Sequence, residues 1–163
     1  MSFTHMDAGG NAVMVDVSDK GETQRRATAR GAIRMSRDCF EAVRQGRAKK
    51  GDVLGVAQVA GIMAAKQASS LIPLCHSLNL TSTRVEFTLD EENNAVVARC
   101  SVCCGGKTGV EMEALTGAGV ALLTVYDMCK AMDKRMVIGA LHLEEKTGGK
   151  SGDFLFEQAG DGK

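Results

Sequence analysis

The chain has 163 residues, 44% of them hydrophobic, with 20 basic and 20 acidic side chains and a formal net charge of zero. That length suits one domain with a single sizeable core, and the balanced charge points to no polyanionic partner. No apolar run reaches membrane-spanning length, and the opening MSFTHMDAGGN lacks the charged and greasy regions of a signal peptide, so we expect a soluble cytoplasmic protein without a membrane partner.

Residues 1–12 are small and polar and read as a flexible arm, with one catalytic α+β domain over 13–163. VMVDV at 13–17 is a candidate short strand. Residues 24–35 alternate, with Ala27, Ala29, Gly31, Ile33 and Met35 on one face and Arg26, Thr28, Arg30 and Arg34 on the other. Ser36 is placed to cap a short helix, RDCFEAVRQ, that Gly46 ends. Asp52 is placed to cap a second helix reaching about residue 71. It is apolar nearly all round, which predicts burial between layers. Pro73, the only proline, stops it and holds IPLCH extended.

Thr83, Val85, Phe87 and Leu89 alternate with polar residues. DEENN turns this strand into AVVARCSV, giving a hairpin. A long helix follows over about 109–132, with a core stripe of Leu115, Ala118, Leu122, Val125, Cys129 and Met132. MVIGALHLE forms the last strand and leads into the glycine-rich KTGGKSGDF. The order β-α-α-β-β-α-β predicts an α+β sandwich, with helices on one face of a mostly antiparallel sheet.

Several motifs compete for a functional reading. CSVC at 100–103 has zinc-like spacing, but in an alternating strand residues three apart point to opposite faces. Reduced, mostly buried thiols are the expectation for the six cysteines. CGGKTG at 104–109 suggests a phosphate loop. The required earlier glycine is Ser101, however, and Thr108 with Glu111 matches a helix capping box.

Residues 25–50 hold nine Lys or Arg and two acids, Asp38 and Glu41. A solvated basic face, nucleic acid and a small phosphorylated ligand are the three readings, and the single aromatic, Phe40, offers no stacking platform for bases. Arg25 falls on the apolar side of its strand, where a guanidinium needs an anion or carboxylate unless it snorkels outward. Cys75 and His76 are neighbours on an extended segment and point apart, which disfavours a Cys–His nucleophile. Asp127 and Lys130 are one turn apart on a helix flanked by Val125, Tyr126, Met128, Cys129, Ala131 and Met132. That setting predicts an acid–amine pair at a buried seam, able to exchange protons with a substrate.

GVEMEALT followed by YDMCKA, with KKGD, IPLCH and KSGDF at their places, resembles the cyclic pyranopterin monophosphate synthases, the C proteins of molybdenum cofactor biosynthesis. The resemblance implies a ferredoxin-like fold and a hexamer built as a trimer of dimers. It implies conversion of cyclised guanosine triphosphate, a small-molecule substrate, to cyclic pyranopterin monophosphate with release of pyrophosphate. It implies no metal and no organic cofactor. By motif, Asp127 and Lys130 match the catalytic acid and lysine. Leu74, Cys75, His76, Met112, Glu113, Lys50, Arg25 and Lys146 match substrate-binding residues. Ser77 stands where the family pattern usually has proline.

A non-catalytic nucleotide- or pterin-binding regulator of the same fold is the alternative, and a nucleic-acid binder is the more distant one. Glu113 and Asp127 are ~21 Å apart along one helix, too far for one small substrate. With Gly117, Gly119 and Ala121 between them to admit another backbone, this predicts a pocket shared across a two-fold interface. The expected division puts Asp127 and Lys130 on one subunit, and Lys50 and Arg25 on its neighbour.

Overall fold

The computed structural model describes residues 6–7, 9–48 and 51–157. Among them the elements run β1 (Thr23–Arg34), α1 (Arg37–Arg44), α2 (Val53–Ala65), α3 (Ala68–Leu71), β2 (Leu80–Asp90), β3 (Ala95–Gly106), α4 (Glu111–Cys129), β4 (Val137–Thr147) and β5 (Phe154–Leu155). The strands form one sheet in the order β2-β3-β1-β4-β5, and every pairing is antiparallel. The expected α+β sandwich is what the chain adopts, and its first four strands take the ferredoxin-like order.

Local chemistry sets most boundaries. Ser36 accepts from the Cys39 N–H at the start of α1, and Gly46 ends that helix with φ +64°. The Asp52 carboxylate accepts from the Gly55 N–H and opens α2. Residues 91–94 turn β2 into β3, with Asn94 at φ +47° in the left-handed region that Asn tolerates. On β1, Ala27, Ala29 and Ile33 are buried. β3 answers with Val96, Ala98, Cys100, Val102 and Cys104. These residues meet the inner face of α4, where Ala114, Ala118, Ala121, Leu122, Val125 and Cys129 are buried.

The small residues of α4 serve α2 of the same chain. A Cβ added at Gly61 would sit 2.8 Å from the Gly117 carbonyl oxygen and 3.1 Å from the Ala121 Cβ, and one at Gly117 would sit 2.5 Å from Cys100 Sγ. Bare glycine faces therefore let α2, α4 and the sheet pack at close quarters. Gly119 lies against a Leu141 side chain. These glycines thus do not point to a second subunit, contrary to the expectation from sequence.

Four further expectations are corrected. α2 ends at Ala65 and is not sandwiched: Val56, Val59 and Met63, at i, i+3 and i+7, are 49%, 56% and 62% exposed. Residues 13–17 form no strand. Thr108 does not cap α4; the residue before the helix is Val110, and no side chain caps it. Met132 lies past the end of α4 and is exposed. Two extra residues in β4 bulge its pairing with β1, and Ala140 adopts φ +51° within this irregular stretch. Of residues 1–12, Asp7 accepts from the Gly9 and Asn11 N–H groups in a tight turn, and the rest of the expected arm lies partly outside the described residues.

Candidate functional site

Two cavities meet at the N-terminal end of α4. One, of about 560 Å³, is basic: Lys20, Arg25, Arg26, Lys107, Lys146 and Lys150 line it, with the glycines 148 and 149 on its wall. The other, of about 520 Å³, is mainly apolar: Ile72, Pro73, Leu74, Cys75, His76, Leu78, Met112 and Glu113 line it. Thr108, Gly109 and Glu111 border both, so the cavities adjoin.

In the basic cavity, Arg25 carries the core-facing parity of β1 to the sheet end. Its guanidinium finds carbonyls where an acid was sought: Nε donates to Gly106 O at 3.3 Å and Nη2 to Lys107 O at 3.5 Å. These bonds tie β1 to the loop that precedes α4. Gly148 and Gly149, at φ +88° and +90°, press against Gln24 and Arg25, where any Cβ would collide with the Gln24 carbonyl or the guanidinium. Lys146 Nζ donates to Ser151 Oγ at 2.7 Å and pairs with Glu111 Oε1 at 3.3 Å. Lys107 Nζ donates to Ser18 O. The arrangement concentrates ammonium and guanidinium groups around an open volume, the setting a polyphosphate requires.

The apolar cavity contains one buried acid. Glu113 is 3% exposed; its Oε1 accepts from Cys75 Sγ at 3.7 Å, and its Oε2 is buried without a hydrogen-bond partner. Burial pushes the Glu113 carboxyl above its ordinary range, and Glu111 nearby adds to this. Burial, and then Glu113, push the Cys75 thiol up as well. His76 has a different partner: its Nε2 meets Val15 O at 2.8 Å, tying the segment 13–17 to this stretch. Cys75 and His76 thus diverge, as expected for neighbours on an extended segment.

Asp127 and Lys130 occupy the opposite end of α4. Lys130 Nζ pairs with Asp127 Oδ1 at 2.6 Å, and this contact raises the Lys130 pKa. Contrary to the buried seam expected, their side chains are 57% and 51% exposed on this chain. Helix geometry leaves Asp127 ~21 Å from Glu113. Of the expected site residues, the chain therefore gathers Arg25, Lys146, Leu74, Cys75, His76, Met112 and Glu113 around two joined cavities, and holds Asp127 and Lys130 apart. Lys50 lies outside the described residues.

The sequence reading missed Lys20, Lys107, Lys150 and Glu111. The signal is present, since each basic residue stands on a loop at a strand end, but the match of Glu111 to a capping box masks its place in the site. The two cysteines of CSVC face opposite ways, Cys100 into the core and Cys103 half-exposed on the other side. Among the described residues no cysteine forms a disulfide, and four of the six thiols are buried.

The family model described as the MoaC family matches residues 14–149, nearly the whole of the chain described above. The chain belongs to the MoaC family. It is 59% identical over 156 residues to a protein named cyclic pyranopterin monophosphate synthase from Heliobacterium modesticaldum, covering 96% of this chain and 98% of that one. It is 58% identical over 155 residues to the protein of the same name from Clostridium botulinum, covering 95% and 98%. A third relative of that name, from Clostridium perfringens, is 56% identical over 154 residues, covering 94% and 98%. The basic and apolar cavities thus belong to a MoaC-family fold. Among its described residues no helix is long and apolar enough to cross a membrane.

Proposed function

We propose that this chain forms cyclic pyranopterin monophosphate for molybdenum cofactor biosynthesis, acting on cyclised guanosine triphosphate and releasing pyrophosphate. The observation that carries the reading is the junction of a basic cavity with an apolar one across Thr108, Gly109 and Glu111. A nucleotide carrying a flat ring at one end and phosphates at the other matches both. Arg25, Lys146 and Lys107 stabilise the phosphates electrostatically as charge develops on the leaving pyrophosphate. Leu74, Cys75, His76, Met112 and Glu113 receive the ring. Asp127 and Lys130, an acid and an amine in direct contact, exchange protons during ring rearrangement.

This chemistry needs the two ends of α4 in one place, and ~21 Å of helix separates them within a chain. We infer that the working enzyme is a homo-oligomer, a hexamer built as a trimer of dimers, in which the Asp127–Lys130 end of one subunit completes the cavities of the next. The exposed row Val56, Val59 and Met63, with Leu123 58% exposed on α4, supports burial against another copy. The assembly acts in the cytoplasm. No specific observation favours a non-catalytic regulator. The test is incubation of the protein with the cyclised nucleotide and measurement of pyrophosphate. Release at many turnovers per chain is expected; ligand binding without release would leave the regulator reading in its place.

A further inference from the structure

Glu113 is an unusual group to find against the helices of an apolar cavity. A buried carboxyl oxygen without a partner is costly to a fold, so its retention calls for a reason. The terminal torsion of a glutamate is broad and roughly two-fold, with no staggered well to hold the carboxyl plane. In this protein the carboxyl meets the Glu113 backbone N–H and, from outside the helix, the thiol of Cys75 on the segment after α3.

We propose that Cys75 is a positioning residue for Glu113: its thiol occupies Oε1 and fixes the carboxyl plane, reserving Oε2 for the polar edge of a flat heterocycle entering the apolar cavity. Both residues line that cavity, and Oε2 is the buried side-chain atom left without a partner among the described residues. A ring bearing an N–H group, or a ring acceptor facing the protonated acid, supplies the missing bond. Burial favours the acid form of Glu113, and with the thiol on Oε1 the acid proton belongs on Oε2. The charged and titratable groups around Glu113 are Glu111 on its own helix, Cys75 on the segment after α3 and Cys104 on β3. Of these, Cys75 donates to it. The kinetic consequence rests on the function proposed above; the positioning itself does not.

The test compares Cys75→Ala, which removes the donor, with Cys75→Ser, which keeps one, in the full-length protein. Steady-state kinetics should show KM raised about five-fold in Cys75→Ala, the worth of one modest hydrogen bond, with kcat within two-fold of wild type. Cys75→Ser should restore KM. A wild-type KM in Cys75→Ala, or a serine variant as impaired as the alanine one, overturns the proposal. A second arm needs no turnover. Carboxyl-labelled glutamate is titrated by NMR without ligand, and Glu113 is assigned by its loss in Glu113→Gln. The thiol bond lowers the Glu113 pKa against burial, so the titration should move upward in Cys75→Ala and back in Cys75→Ser. Identical titrations in all three proteins overturn the positioning role even where the wild type turns over. If the wild type releases no pyrophosphate while the titration still shifts, the positioning stands and the proposed function fails.

Discussion

Lys146 Nζ lies 3.3 Å from Glu111 Oε1, so a principal cation of the basic cavity is engaged by a carboxylate that also borders the apolar one. An incoming polyphosphate competes with Glu111 for that ammonium. Glu111→Gln removes the competing charge and keeps the side chain's shape. Affinity for inorganic pyrophosphate, measured by calorimetry at low salt, should rise about three- to ten-fold and lose the gain as salt is added. Lys146→Ala should weaken the same binding. Unchanged affinity in Glu111→Gln would mean that Lys146 does not meet the phosphates.

The buried Glu113 predicts a conflict between stability and function. Its pKa is raised by burial, so folding favours its neutral form. The sign follows: the fold tolerates Glu113 best below the ordinary carboxyl value of 4.5, and loses stability as pH rises through the higher folded value. Glu113→Met replaces the acid with an apolar side chain of similar length. The variant should melt at a higher temperature than wild type at neutral pH, and the difference should shrink as pH falls toward 4.5. Substrate binding should be lost. A Glu113→Met protein less stable than wild type at pH 7 would show that the carboxyl supports the fold.

Asp127 and Lys130 invite the opposite outcome. Their contact is short, but both side chains are more than half exposed, where ion pairs contribute little to folding. Asp127→Asn and Lys130→Ala should each keep a near-wild-type melting temperature and oligomeric state and lose turnover by orders of magnitude. Pyrophosphate release at a wild-type rate in either variant would take that residue out of the chemistry.

The contrast between these sites explains what was legible in the sequence. Alternation on β1 and β3, the Ser36 and Asp52 caps and the turn at 91–94 depend on local pattern, and each stands where the pattern put it. The exposure of Asp127 was not legible. Apolar residues surround it in sequence, but α4 spends Gly117, Ala121 and Val125 on the core and leaves Leu123 bare, and Met132 beyond its end is bare as well. Periodicity identifies an apolar face and says nothing of which neighbour covers it, α2 or another chain. The Thr108 cap failed for a related reason: Glu111 is drawn to Lys146, across a distance in sequence that no local motif encodes. Strand parity marks Arg25 as a misplaced charge, and only the fold reveals the carbonyls of Gly106 and Lys107 that receive it.

The division of the site between subunits follows from how α2 lies on α4. Gly61 packs on Ala121, and Ala65 packs on Gly117, so the two helices run antiparallel. α2 therefore begins, at its Asp52 cap, toward the Asp127 end of α4. The Asp52 end of α2 thus points toward the Asp127 and Lys130 end of α4 in its own chain, whereas Arg25, Lys146 and Glu113 gather at the other end. This favours a partition in which Arg25 and Lys146 of one subunit face Asp127 and Lys130 of another. Inactive Asp127→Asn chains mixed with inactive Lys146→Ala chains, denatured and refolded together, should regain activity, since a mixed pair contains one site with both residues intact. Statistical mixing gives half the dimers one such site, and activity near a quarter of wild type is expected if sites act independently. Mixing Asp127→Asn with Lys130→Ala also rebuilds no intact acid–amine pair, because both residues come from one subunit, and should restore nothing. Activity regained in the second mixture as in the first, or in neither once mixed assemblies are verified by mass spectrometry, would overturn the partition.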